Sequence, residues 1–350
     1  MGLKEWPAEF LDPHRRERQK PFEPLGLLPA EAFAPDELIF LKQQAGVPVH
    51  LVFPVKEAAE AENLAALLTI LQPLVPGIIE AGWLAFGGEE AGELAELPRK
   101  YPWLRLFPAR RLPPPDQVGR AWGKGAVMRA LLYHLVQTGQ VVDPRAIIQF
   151  IDADIVPAFF NPNWCLGAVG AILWFDQVEA AKLVYFRPRG GRLNTFLRSL
   201  LAVVPHAGVQ RLQDLIYLLS GEMAGTMHFW TSVPFKTGYG IEILILLSLA
   251  LEQVGLHPDR SDLAGLAQVF VGDMDHRHAP MQSGRDRRGL DQMAGNVFHT
   301  VFQTLEQAGV LAWPGGKVAA GQLLIPTPGA RPGWLAAPVG EWTFPPLQHC

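Results

Sequence analysis

The sequence predicts an α/β fold in which a mostly parallel sheet is flanked by helices, with an extended N-terminal arm and a C-terminal tail. Three observations carry that expectation. Apolar runs of strand length alternate with longer segments of helical spacing from Val47 to Ile151, the pattern of successive βαβ units. Those runs are nearly continuous in apolar residues, as parallel strands covered on both faces must be. Residues 1–45 and 311–350 lack that alternation, and the second stretch is rich in Pro and Gly, which marks irregular chain. Residues 46–155 and 156–310 read as two halves of one domain, with no clear linker between them.

Taken in order, a short helix is expected near Pro35–Gln44. Val47–Val55 is a buried strand and Ala58–Leu74 a helix with Ala and Leu at helical spacing. Ile78–Phe86 is a second strand, closed by Gly87 and Gly88, and Trp103–Phe107 a third. Pro108–Val118 is a Pro-rich loop. Lys124–Thr138 carries an apolar helical stripe, and Ala146–Ile151 is the next strand. Beyond Pro157 the expected elements are a helix over Trp164–Phe175, a strand over Ala181–Phe186 and a helix over Leu193–Val204. Gln210–Leu219 is short and apolar. A strongly apolar helix follows over Ile241–Gly255, then a strand over Val269–Gly272 and an amphipathic helix over Gly289–Gly309.

Composition excludes several classes. The chain has 350 residues, 49% of them hydrophobic, and a formal net charge of -4, so it has a sizeable core and no global basic field for nucleic acid. Basic residues are dense only at Pro13–Lys20 and Asp275–Arg288. Two cysteines, Cys165 and Cys350, make neither a disulfide framework nor a cysteine zinc site. Met1–Pro24 has no apolar signal core, and Cys165–Phe175 and Ile243–Leu251 are too short to span a bilayer. The expectation is a cytoplasmic protein without a membrane span.

Chemistry concentrates where strands end. Ile147–Ile151 runs into Asp152-Ala153-Asp154. Alternate strand residues point the same way, so the two carboxylates can converge at the carboxyl edge of a parallel sheet and hold a hard divalent cation; the competing reading is a strand end with a capping acid. Gly123-Lys124-Gly125 opens a helix, where backbone amides, the helix terminus and a lysine suit a diphosphate, although it is not a Walker A loop. Ser220-Gly221-Glu222 and Gly238-Tyr239-Gly240-Ile241-Glu242 each end in a carboxylate. Glu242 suits a helix N-terminus on charge alone, or it accepts hydrogen bonds from sugar hydroxyls. Arg187-Pro188-Arg189-Gly190-Gly191-Arg192 is a basic turn that could pair an anionic acceptor. Asp273–His278 packs two acids, two histidines and an arginine into six residues.

In this order, with Phe53-Pro54-Val55-Lys56 at the end of the first strand, these segments resemble the retaining glycosyltransferases of the GT-A fold that make glucosyl-3-phosphoglycerate. The wording of the first strand and of Asp152-Ala153-Asp154-Ile155 is also similar to mannosylglycerate synthase. The resemblance covers about residues 48–310. It implies a GT-A type, Rossmann-like sheet whose first half, 46–155, binds a nucleotide sugar and whose second half, 156–310, binds the acceptor. It implies that Asp154 and His276 hold a divalent metal, Mg2+ or Mn2+. Pro54, Lys56, Lys124, Asp152, Ala153, Asp154 and Glu242 would bind the nucleotide sugar. Gly191, Arg192, Asn194 and His278 would bind the acceptor, and Leu219, Ser220 and Gly221 would line the catalytic junction with Glu242.

The implied reaction moves glucose or mannose from a UDP- or GDP-hexose to 3-phosphoglycerate or glycerate, for compatible-solute or polysaccharide-precursor synthesis. The chain departs from the family pattern in four places, one of them a shorter segment between Arg187-Pro188 and Gly190-Gly191. Phe86-Gly87-Gly88-Glu89-Glu90 stands where a Ser- and Asp-rich stretch reads the nucleotide, Asn194 stands for a Thr, and His278 for an Asn. Two rivals stay open: a sugar-nucleotide nucleotidyltransferase, and a non-catalytic sugar-nucleotide-binding protein. The Leu- and Trp-containing tail and the family's habit extend the expectation to a homodimer.

Overall fold

The computed structural model describes residues 27–187, 191–254, 262–275, 287–312, 321–327, 333–339 and 341–347. Its centre is an eight-stranded sheet of β1 (Leu27–Pro29), β2 (Val49–Val55), β3 (Ala81–Phe86), β4 (Leu104–Pro108), β5 (Ile147–Phe150), β6 (Ala180–Phe186), β7 (Met223–Thr226) and, after a two-residue β8 (Phe235–Lys236) outside the sheet, β9 (Leu266–Asp273). The spatial order is β1-β9-β6-β7-β5-β2-β3-β4. Every pairing is parallel except the two made by β7, which runs antiparallel to both β5 and β6. The α/β, mostly parallel sheet expected from the alternating pattern is therefore present, with one reversed strand at its centre.

Among the described residues seven helices of ten or more residues flank the sheet: α1 (Pro35–Ala45), α2 (Ala61–Leu71), α3 (Lys124–Gln137), α4 (Asn163–Trp174), α5 (Arg192–Ala202), α6 (Ile241–Ala250) and α7 (Arg287–Gln307). Pro35 sits in the first turn of α1, where its missing N–H costs nothing, and Gly46 ends that helix in the left-handed region. The helix expected over Ala58–Leu74 is split into a 3-10 turn, α2 and a second 3-10 turn at Gln72–Leu74, because Pro73 cannot donate to a continuing helix. Apolar residues surround α6 on all sides, and the helix is buried apart from Glu242, as such composition requires.

Two apolar layers cover the sheet. Leu51, Phe53, Ile147, Ile151, Leu183 and Tyr185 pack with α1, α2 and α4 on one face. Val52, Ile148 and Phe150 pack with α3, α6 and α7 on the other. Both layers draw on residues from either side of position 155. Among the described residues no helix is long and apolar enough to cross a membrane.

The ends depart from expectation. Within the N-terminal arm, β1 adds an edge strand to the sheet. Within the tail, β10 (Gly321–Thr327) and β11 (Gly333–Val339) form an antiparallel hairpin, and β12 (Thr343–Phe344) pairs with β8. The Ile241–Gly255 helix stops at Ala250, and the Val269–Gly272 strand extends over all of β9.

Candidate active site

The carboxyl ends of β2, β5, β6 and β9 open on one rim, where ligands of parallel α/β sheets bind. The reversed direction of β7 has a local result: residues that precede it, Leu219–Glu222, reach this same rim.

Lys124 is the centre of the arrangement. It opens α3, and its Nζ lies 2.5 Å from Asp152 Oδ1 and 3.1 Å from Glu242 Oε1. Asp152 follows β5 and Glu242 sits in the first turn of α6, so one ammonium ties three elements together. Burial works against its charge, but Asp152, Glu242 and Glu222 outweigh that and raise its pKa well above the ordinary lysine value. Gly221 lies directly over this pair. A Cβ there would run into Lys124 Nζ and come within 2.9 Å of Asp152 Oδ2, so a larger residue would have to push the lysine away from its partners.

A second lysine lies beneath the same loop. Lys182, in β6, is fully buried and donates to Ser220 O at 2.7 Å. Burial pushes it down to about 8; Glu242, Glu222 and Asp152 pull against that, and Lys124 adds to it. Glu222 is fully buried and accepts from the Tyr185 hydroxyl at 3.1 Å. The buried Ser220 hydroxyl has no hydrogen-bond partner among the described residues. Two lysines and three carboxylates thus share one small, desolvated volume, where each charge is felt strongly.

The Asp152–Ile155 turn is held from behind. Asn63, buried in α2, donates its amide to Ala153 O at 2.6 Å and to Ile155 O at 2.9 Å. This clamp fixes the backbone from which Asp152 and Asp154 project. Asn63→Ala leaves both carbonyls without that donor, and the expected cost is about 2–4 kcal/mol of stability, read by denaturant unfolding; a loss within experimental error would show that the clamp is dispensable. Glu60 faces the same turn. Its carboxyl is pushed up to about 7, by burial first and then by the Asp154 charge.

The backbone of the turn also meets the end of β9, where Val156 N donates to Asp275 O at 3.0 Å. That contact brings the Asp273–Asp275 backbone to the turn that carries the paired aspartates. His276 and His278 themselves lie outside the described residues. Among the described residues no group of three or more His, Cys, Asp or Glu side chains is placed to hold a metal. The donors present, Asp154 with Asp152 beside it, fit a hard cation that keeps several waters and completes its shell with substrate phosphates.

The remaining expected residues fall around this centre. Pro54 is half-buried within β2 and Ala153 is buried. Lys56 is exposed, its Nζ 3.3 Å from Glu57 Oε1. Gly191 precedes α5 in the left-handed region, at φ 80°, and Arg192 is exposed at the first position of that helix. Gly191 approaches the Tyr217 ring, whose hydroxyl accepts from Arg187 Nη1 at 3.4 Å. Asn194 is buried, and its Oδ1 accepts from Leu218 N at 2.8 Å. It thereby anchors the backbone just before Leu219-Ser220-Gly221.

Asn63, Glu60 and Lys182 were not among the residues singled out by sequence. A signal existed for two of them. Asn63 occupies the buried phase of an otherwise apolar helix, and Lys182 interrupts a continuous apolar strand.

No protein-family model matches the chain. It is 30% identical over 250 residues to a glucosyl-3-phosphoglycerate synthase of Mycolicibacterium smegmatis, covering 68% of this chain and 73% of that protein. It is 27% identical over 288 residues to a protein of the same name from Petrotoga mobilis, covering 79% and 78%. Among solved structures, mannosyl-3-phosphoglycerate synthase from Rubrobacter xylanophilus superposes with a TM-score of 0.74 at 22% identity, over 93% of this chain and 95% of that one. Glucosyl-3-phosphoglycerate synthase from Mycobacterium tuberculosis, in complex with Mn2+, UDP-glucose and phosphoglyceric acid, superposes with a TM-score of 0.68 at 24% identity, over 93% and 99%.

The sheet order and the rim it exposes are those of a GT-A type glycosyltransferase. The chain belongs to the glucosyl-3-phosphoglycerate synthase family.

Proposed function

We propose that this chain transfers a glucosyl group from a nucleoside-diphosphate glucose to the free hydroxyl of 3-phosphoglycerate, with retention at the anomeric carbon and with Mg2+ or Mn2+. The observation that supports it most is the grip of Lys124 between Asp152 and Glu242 beneath Gly221. It sets a cation for the diphosphate, an acid for the sugar and a loop for the acceptor within one contact distance of each other.

In this reading the C1–O bond to the diphosphate breaks while a C1–O bond to the acceptor forms on the same face. The acceptor's hydroxyl proton passes to the departing diphosphate oxygen. Lys124 stabilises the charge that grows on that oxygen, in a desolvated position where such stabilisation counts most. A metal held by Asp154 and His276 would supply Lewis-acid stabilisation of the same diphosphate. Glu242 orients the sugar by accepting from its hydroxyls. The backbone of Leu219–Gly221, set by Lys182 and Asn194, lies at the junction of sugar and acceptor, and the free Ser220 hydroxyl is available to it. Gly191 and Arg192 present the start of α5 to the acceptor's anionic group.

A mannosyl donor is the second reading, supported by the TM-score of 0.74 to a mannosyl-3-phosphoglycerate synthase. Both are tested by incubating the protein with Mg2+ or Mn2+, a panel of UDP- and GDP-hexoses, and either glycerate or 3-phosphoglycerate. The expected result is release of a nucleoside diphosphate with a glucosyl-phosphoglycerate product. In a parallel incubation with UTP or GTP and a hexose 1-phosphate, release of inorganic diphosphate would point to a nucleotidyltransferase, and nucleotide binding without turnover in either mixture to a binding protein.

A further inference from the structure

We infer that the tail segment Glu341–Phe344 is built into the donor pocket, and that Glu341 is a positioning residue for Glu242. The inference rests on reading Glu242 as the acid that holds the donor sugar. The loop that connects β8 to α6 backs the turn carrying Lys124, since Ala126 N donates to Thr237 O at 3.0 Å. It is also the loop that aims Glu242. Its Gly-Tyr-Gly backbone is the kind that loses most freedom on ordering, so something must hold it.

The tail supplies that hold. Glu341 Oε2 accepts from Gly240 N at 2.9 Å, and the Gly238 N–H donates to the same carboxylate. A Cβ on either glycine would strike the Glu341 carboxylate, so both glycines leave the space that this side chain fills. Thr237 N donates to Trp342 O at 3.1 Å, and β12 pairs with β8. Lys236 Nζ, donating to Gln303 Oε1 at 2.5 Å, also reaches Glu341 O at 3.3 Å. Two arginines grip the strap from the other side. Arg120 lies 3.8 Å over the Trp342 ring, and the buried Arg129 lies 4.5 Å over the buried Phe344 ring. Arg120 precedes the Gly123–Gly125 turn and Arg129 belongs to α3. The strap therefore spans both elements that deliver the Lys124–Glu242 pair, although it lies outside the stretch in which the sequence resembles the family.

The test compares full-length wild type, Glu341→Gln and Glu341→Ala. A carboxylate receiving two backbone N–H groups is replaced by one amide oxygen or by none. The donor KM is expected to rise about threefold in the Gln variant and about tenfold in the Ala variant. The acceptor KM should change little, while the melting temperature falls in the Ala variant because two backbone N–H groups lose their acceptor. A donor KM that stays at the wild-type value in the Ala variant overturns the inference, as does a rise shared equally by donor and acceptor. Should the Ala variant not fold, the Gln variant decides: a raised donor KM supports the inference and a wild-type value overturns it. Wild type without hexosyl transfer fails the proposed function instead, and calorimetric binding of the nucleotide sugar then carries the same three-way comparison.

Discussion

Asp154→Ala is expected to lower turnover at least roughly a thousandfold and to remove the metal requirement with it. The residue projects from a turn whose backbone is fixed by Asn63 on one side and by Asp275 on the other. Its charge is felt by Glu60 strongly enough to help hold that carboxyl at about 7. Losing a metal that offsets charge on a leaving diphosphate removes several kcal/mol of transition-state stabilisation, and about 1.4 kcal/mol is a factor of ten in rate. The measurement is turnover against Mn2+ concentration for wild type and variant. A variant that keeps full, metal-responsive activity would take the metal role away from Asp154. The fold should survive, since the side chain is half-exposed.

The second large effect is expected at Lys182. Its ammonium is one of two that face Asp152, Glu222 and Glu242, and it holds the Ser220 carbonyl at 2.7 Å. Lys182→Met strands that carbonyl and leaves three carboxylates with one lysine, so turnover is expected to fall roughly a hundredfold. The pH dependence has a definite sign. Burial pushes Lys182 down to about 8; the charge is present below that pH and is lost as pH rises through it. Wild-type turnover should therefore decline above about pH 8. Lys182→Arg keeps its charge across that range, and where the guanidinium fits it should hold its rate to higher pH. An alkaline limb at the same pH in Lys182→Arg and wild type would assign that limb to another group.

The fold class was legible because parallel strands buried on both faces leave continuous apolar runs in sequence, and Val49–Val55, Ala81–Phe86 and Ile147–Phe150 are such runs. The antiparallel β7 was not. Met223–Thr226 is four residues long and contains a glycine, too short for a period to show and poor in strand formers. Its pairing partners, not its own composition, make it a strand. The tail was illegible for a related reason: Glu341 meets Gly240 across 101 positions of sequence, and no local pattern signals so distant a contact.

At the rim, Asp152 and Asp154 stood out because acids end an apolar strand there, and Lys124 because glycines flank it. Lys182 and Asn63 were passed over because long cations and amides are ordinarily solvated. Only tertiary packing reveals that one lies under the Leu219–Glu222 loop and the other behind the aspartates. Asn194 was expected to face the acceptor, and the structure shows its Oδ1 engaged with the Leu218 backbone. The register of α5 against the Leu215–Leu219 segment, which sequence does not display, decides that.

The sheet edge at β1 carries a consequence in time. Among the described residues Leu27–Pro29 pairs only with Leu266–Asp273, so β1 waits for a segment made more than two hundred residues later. Until β9 emerges, Leu28 has no sheet to bury it, and the parallel edge cannot close. Pairings of such sequence separation are slow to form and leave apolar chain exposed meanwhile. The chain must therefore be made through β9 before β1 finds a place, and conditions that slow synthesis should favour aggregation of nascent chains over that edge.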